Sequence, residues 1–215
     1  MRPDTIASFF SDKTNRFYKL FKTQDWPALE ISGIRMHLVK GTTPKKSSYD
    51  MIEPLKPLKG IVLDTCAGLG YTAKILVQEP RVKKVYTFEV DENVLELAKI
   101  NPFSKQLFSD KKIVLENKSV ADALKGFPDN FFHRILHDPP SIRIAGELYS
   151  GPFYAELFRV LKPQGILFHY TGRPGHLSGR DVPKSVETRL LKAGFYAPKW
   201  FEKAQGLRAR KHASE

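Results

Sequence analysis

From residue 60 onward the chain alternates short apolar runs with amphipathic ones, and three of the apolar runs end on an acid. GIVLD closes on Asp64, VYTFE on Glu89 and RILHD on Asp138. Apolar runs of this length, bounded by turn residues, read as buried strands. Between them lie segments with helical spacing, among them GLGYTAKILVQE, DENVLELAKI, SGPFYAELFRVL ending at Pro163, and VPKSVETRLLKAGF closing on Gly194. KKIVLEN and GILFHYTG read as further strands, ADALKGF as a short helix and APKWFEKAQGL as a last strand-like piece.

Strands that alternate with helices need crossover connections, which build a parallel sheet. The expected fold class is therefore α/β: a Rossmann-like, mostly parallel sheet with helices on both faces. Ligands of such sheets bind beyond the carboxyl ends of the strands, so Asp64, Glu89 and Asp138 are expected to face one crevice. This domain is assigned to residues 56–204. Residues 1–55 read as an N-terminal extension. In it ALEISGIRMHLVKG alternates around Ser32-Gly33, a β-hairpin signal. Residues 1–25 mix aromatics and charges at partly helical spacing, and TTPKKSSYD reads as a loop. Residues 205–215 read as a basic C-terminal tail.

The single Cys66 excludes an intramolecular disulfide framework and a Cys-x-x-Cys metal site, and suits a reducing cytoplasm. No apolar run approaches the roughly 18 residues of a transmembrane helix, so no membrane partner is expected. MRPDTIASFFSDKTNRF lacks the apolar stretch of a signal peptide. Lys and Arg number 35 against 23 Asp and Glu, a net charge of +12. That excess attracts polyanions, RNA among them. Lys45, Lys46, Arg143, Arg173 and Arg180 flank the expected crevice.

In LDTCAGLGYTA, Asp64 ends a strand, and Gly68 and Gly70 turn the chain into a helix. Glycines there let a ligand approach the main chain. A carboxylate at the place of Glu89 can accept hydrogen bonds from both ribose hydroxyls of a nucleoside. GLGYTA also fits the dinucleotide fingerprint. A dinucleotide would set its pyrophosphate against this loop, where Asp64 repels it. S-adenosylmethionine carries no phosphate, and its α-ammonium can pair with a carboxylate. The pattern Asp64-x-x-x-Gly68-x-Gly70 thus favours the sulfonium cofactor.

VLDTCAGLGYTA, HDPPS, AGELYS, RVLKPQGILFHYTGRPG and KSVETRLLKAGF together resemble class I S-adenosylmethionine-dependent methyltransferases. The resemblance is to an archaeal group with an Asp-Pro-Pro motif, distantly similar to spermidine synthases. It implies that S-adenosyl-L-methionine is held by Asp64, Cys66, Gly68, Gly70 and Tyr71 around the loop, and by Glu89 and Val90 at the ribose. It further implies Asp122 near the adenine, with Ser119 as a rival, and Asp138 at the reacting end. Cys66 lacks a preceding proline and reads as a small loop residue, not a nucleophile.

HDPPS resembles the Asp-Pro-Pro-aromatic motif of amino methyltransferases. An aromatic amine has its lone pair delocalised into the ring. Two hydrogen-bond acceptors, the Asp138 carboxylate and the Pro139 carbonyl, would push that nitrogen toward a nucleophilic form. Pro139 and Pro140 bring no N–H to compete and fix the turn. Ser141 stands where the motif has an aromatic, so a ring to stack on a base must come from Tyr149, Phe153, Tyr154 or Tyr170. Asp138 as a simple cap of the following turn is the competing reading. His137 and His169 read equally as substrate contacts or as structural histidines, and with no third ligand at metal spacing no metal is expected.

The expected function is methylation of an exocyclic amine, that of cytidine in ribosomal RNA. Two alternatives stand beside it: a small-molecule amine transferase of the aminopropyltransferase kind, and a nucleic-acid-binding protein without catalysis.

Overall fold

The computed structural model of the protein describes residues 4–172 and 181–213. Its first element is a four-stranded antiparallel sheet: β1 (Thr5–Ser11), β2 (Arg16–Phe21), β3 (Ala28–Ile31) and β4 (Ile34–Arg35), in that order. The expected hairpin joins β3 to β4, with Ser32 at φ 46° and Gly33 at φ 82° in the turn. Two such residues in the left-handed region match the twist of a tight hairpin.

Two readings of the extension need correction. Of the stretch 1–25, residues 4–25 are described and form two strands with no helical segment: Tyr18 and Leu20 are fully buried, while Phe17, Lys19 and Phe21 face outward. The adjacent aromatics Phe9-Phe10 and Phe17-Tyr18 place rings on both faces of the sheet, which hides the two-residue period. The polar stretch from 42 is not a loop but leads into α1 (Pro44–Ile52). Thr43 accepts a hydrogen bond from the Lys46 N–H, and Pro44 occupies the first turn, where it costs no hydrogen bond.

The main sheet contains β5 (Gly60–Asp64), β6 (Val82–Phe88), β7 (Ile113–Glu116), β8 (Phe132–His137), β9 (Leu161–Tyr170), β10 (Tyr196–Phe201) and β11 (Gly206–Arg210). Across the sheet they run β10-β11-β9-β8-β5-β6-β7. The pairs from β9 to β7 are parallel, and β11 pairs antiparallel with both β9 and β10. The Rossmann-like expectation holds. The basic C-terminal stretch is not a tail: it supplies β11, an interior strand. Leu207 and Ala209 point into the core and alternate with Arg208 and Arg210, so the charged face masks a period of two.

Helices cover both faces. One core gathers α1, α2 (Tyr71–Gln78), α3 (Glu92–Ile100) and α4 (Lys105–Ser109). The other gathers α5 (Val120–Leu124), α6 (Gly151–Val160) and α7 (Val182–Lys192). Tyr18, Leu20, Trp26 and Leu29 of the N-terminal region join the first core. After β5 the chain builds outward to β6 and β7, then crosses back to add β8 on the other side. The sheet's order therefore reverses between β5 and β8, and ligands of such sheets bind beyond the carboxyl ends at that reversal. Arg173 and Arg180 lie outside the described residues. Among the described residues, no helix is long and apolar enough to cross a membrane.

Candidate active site

The loop after β5 is laced to the strands on either side. Thr65 N–H donates to the Leu136 carbonyl of β8, and Ala67 N–H to the Phe88 carbonyl of β6. Gly70, at φ 75°, begins α2; a Cβ there would stand 2.8 Å from Leu107, so both conformation and packing require glycine.

Asp64 is fully buried. Its Oδ2 accepts hydrogen bonds from Thr72 and Thr87 hydroxyls, each at 3.0 Å, while Oδ1 has no partner among the described residues. Burial, reinforced by the charges of Asp138 and Glu89 and opposed by the two threonines, pushes its pKa up to about 7. An unpaired buried carboxylate oxygen is costly unless something cationic or N–H-bearing meets it.

Glu89, just past β6, closes the other side of the loop. Oε2 accepts from Gly68 N–H and Oε1 from Asp91 N–H, both at 3.0 Å. Burial raises its pKa despite these bonds. The Asn117 side chain holds the Glu89 carbonyl at 2.6 Å. Val90 beside it is 71% exposed, an apolar lip at the crevice edge.

Asp138 follows β8 directly and keeps partial access to solvent. Its carboxylate takes no hydrogen bond from any described residue, and burial raises its pKa to about 7. The turn after it is held by the Ser141 carbonyl, which accepts from Ile144 and Ala145 N–H, so no cap is required of Asp138. The Pro140 carbonyl is occupied by the Tyr149 hydroxyl at 3.1 Å. The Pro139 carbonyl accepts from no described residue.

His137 and His169 lie beneath the crevice and are fully buried. His137 meets the Thr65 hydroxyl at 2.8 Å and the Leu148 carbonyl at 3.0 Å. His169 meets the Tyr154 hydroxyl at 3.0 Å and the Tyr170 carbonyl at 2.8 Å. Every ring nitrogen is satisfied, and burial drives both pKa values down, that of His137 to about 3. They are neutral braces of the strand ends, not bases. Tyr149, Phe153 and Tyr154 are buried around them. Of the four aromatics considered for stacking, Tyr170 alone keeps partial exposure. Burial, with the nearby Asp138 charge, pushes the pKa of its phenol up.

The structure thus brings Asp64, Cys66, Gly68, Glu89 and Asp138 together. The Cys66 thiol is pushed well up by burial and by the three acids, which leaves it protonated and unreactive. Tyr71 is placed elsewhere: its hydroxyl donates to the Pro27 carbonyl at 2.7 Å and its ring packs on Trp26. It ties α2 to the N-terminal sheet. Asp122 is exposed and paired with Lys125 at 2.7 Å, a surface contact on α5. Ser119, at the start of α5, makes no side-chain cap bond. Lys46 pairs with Asp50, Lys45 lies over Trp26, and Arg143 is exposed on the turn after Pro140. Thr72 and Thr87, the cradle of Asp64, have no sequence signal beyond their places at a helix start and a strand end. Among the described residues no cluster of His, Cys, Asp and Glu could hold a metal.

A glycine turn thus lies between two strand-end acids, with a third acid across the switch point of a Rossmann-like sheet. The fold matches spermidine synthase in complex with the transition-state analogue AdoDATO at a TM-score of 0.74 and 21% identity, over 98% of this chain and 75% of that one. The chain belongs to the family of the uncharacterized protein MJ1233 of Methanocaldococcus jannaschii: the two are 48% identical over 200 residues, 92% of this chain and 68% of the relative. A polyamine aminopropyltransferase of Prochlorococcus marinus (strain MIT 9312) is 32% identical over 62% of this chain, which spans 46% of that enzyme. Putrescine N-methyltransferase 3 of Nicotiana tabacum is 27% identical over 65% of this chain and 37% of its own length. No family model matches.

Proposed function

We propose that the protein transfers a methyl group from S-adenosylmethionine to an exocyclic amine, that of a cytidine in RNA. The observation that carries this reading is Asp138: a carboxylate at a strand end, free of any described hydrogen-bond partner, followed by a proline carbonyl that is also free. The orphaned Oδ1 of Asp64 fits an ammonium group, and Glu89 fits a ribose. When bound, the cofactor supplies a methyl group activated by its sulfonium.

The chain's own residues would then do the rest. Asp138 accepts one N–H of the amine, and the Pro139 carbonyl accepts the other. The Tyr154–His169 and Thr65–His137 bonds hold β8 and β9 so that these acceptors stay in place. A carboxylate whose pKa is near 7 can also take the proton that the nitrogen loses on alkylation. The excess of positive charge supports RNA as the carrier of the amine.

A second reading has its own support. Three acids around one crevice also suit a cationic polyamine, and similar proteins are named for aminopropyl transfer and putrescine methylation. Labelled S-adenosylmethionine offered with RNA from cells lacking the protein, and separately with putrescine, decides between them. Label in cytidine on nucleoside mass spectrometry supports the first reading. Label in putrescine alone, or transfer only from the decarboxylated cofactor, supports the second.

A further inference from the structure

The outer face of the N-terminal sheet carries rings and cations that the crevice does not use. Side chains alternate across a strand, so with Tyr18 and Leu20 buried beneath, Phe17, Lys19 and Phe21 stand on the outside. Phe10 sits directly across from Phe17, and the two are 54% and 43% exposed. Contiguous exposed apolar surface rimmed by polar residues marks interaction sites. Phe21 lies under two cations: Lys19 Nζ is 5.3 Å and Arg35 Cζ 5.9 Å from its ring centre. Beside Phe21 opens a cavity of about 610 Å³ lined in part by Lys22, Thr23, Thr42 and Lys46. The Thr42 hydroxyl there is buried with no hydrogen-bond partner among the described residues.

Charge settles what this face suits. Glu30 lies directly across from both Lys19 and Arg35, yet Lys19 has no acidic partner within salt-bridge distance among the described residues and Arg35 is held only loosely, at 3.8 Å, so the two cations outnumber the one acid. A second copy docking by two-fold symmetry would set these cations against themselves. A polyanion with exposed rings matches both the cations and the phenylalanines. Duplex bases cannot reach a sheet face, whereas unpaired bases stack on one. The sheet stands beside the candidate site: the β1–β2 turn, through Lys13–Glu92 at 2.9 Å, and the underside of β2, through Tyr18–Asp91 at 2.7 Å, both rest on the start of α3, just past Glu89.

We propose that this face docks single-stranded RNA, with Phe10 and Phe17 stacking on bases and Lys19 and Arg35 meeting phosphates. The inference rests on the RNA reading above and names the surface that would present the substrate.

The test is fluorescence anisotropy with a labelled single-stranded oligoribonucleotide of mixed sequence, across a salt series. Size-exclusion chromatography and S-adenosylhomocysteine binding serve as controls. Phe10→Ala with Phe17→Ala should weaken binding by about tenfold or more. Lys19→Gln with Arg35→Gln, a pair that leaves the rings intact, should flatten the slope of log K against log salt by about 1.4. If the parent binds RNA and both double variants bind equally well, this surface is not the dock, while the RNA reading stands. If the parent binds no RNA at any salt, the RNA reading falls and this inference with it. If either double variant turns an oligomer into a monomer, the face is a self-interface and the inference is overturned.

Discussion

His137 and Asp138 are neighbours in the chain and opposites in their chemistry. His137 is sealed, with a partner on each ring nitrogen. Asp138 is one step farther along, partly open, and takes no hydrogen bond from a described residue. The same division runs through the whole crevice. Below it, Thr65, His137, Tyr154 and His169 satisfy one another. At its wall, Asp64 keeps an oxygen without a described partner and Asp138 keeps its whole carboxylate. Satisfied polar groups brace the strand ends, and under the proposed function the unsatisfied ones meet the ligand. Buried carboxylates left in this state cost stability, a cost that the proposed ligand would relieve.

Substitutions on the two sides of that line should break different things. Removing the His137 ring opens a cavity and strands the Leu148 carbonyl, so His137→Ala should cost about 2–5 kcal/mol in denaturant unfolding. Asp138→Asn should leave the fold and cofactor affinity intact but lower single-turnover methylation by roughly 10²–10³. Asn offers an N–H where the amine needs an acceptor. An effect within a few-fold would mean that Asp138 does not orient the amine. Glu89→Ala should weaken cofactor binding by about 1.5–3 kcal/mol in calorimetry, and it should also lower the melting temperature, because the Gly68 and Asp91 N–H groups lose their acceptor.

The acids also leave a mark on pH dependence. Asp64 has an ordinary pKa of 3.8 in the unfolded chain and about 7 in the fold. Between those values the native state holds a proton that the unfolded chain has released. Stability of the ligand-free protein should therefore fall as pH rises from about 4 to about 7, then level off. Thermal midpoints across that range check this, and Asp64→Asn should make the slope shallower while Asp138, also raised to about 7, and Glu89 keep part of it. The smallest effect is expected at Asp122. It is exposed and salt-bridged on the surface, so Asp122→Ala should leave the thermal midpoint unchanged within error.

The main sheet is legible in the sequence because its strands are apolar runs separated by helical spacing, and its acids are legible because each ends such a run. The N-terminal strands are not, because Phe9-Phe10 and Phe17-Tyr18 serve two faces at once. α1 is hidden by its polar composition, although Thr43-Pro44 is a helix start. β11 is hidden because Arg208 and Arg210 dominate a strand whose inward face is only Leu207 and Ala209. Spacing puts Tyr71 at the loop but cannot show its side chain turning toward Pro27. The distinction between His137 and Asp138 is out of reach of the sequence, since it depends on partners from distant segments.

Calorimetric titration with S-adenosylhomocysteine, with NAD as the comparison, tests the crevice most directly. One site for the sulfonium-derived nucleoside, weakened in Glu89→Ala, and no heat with NAD is the expected result. Tight binding of NAD with no response to S-adenosylhomocysteine would contradict it.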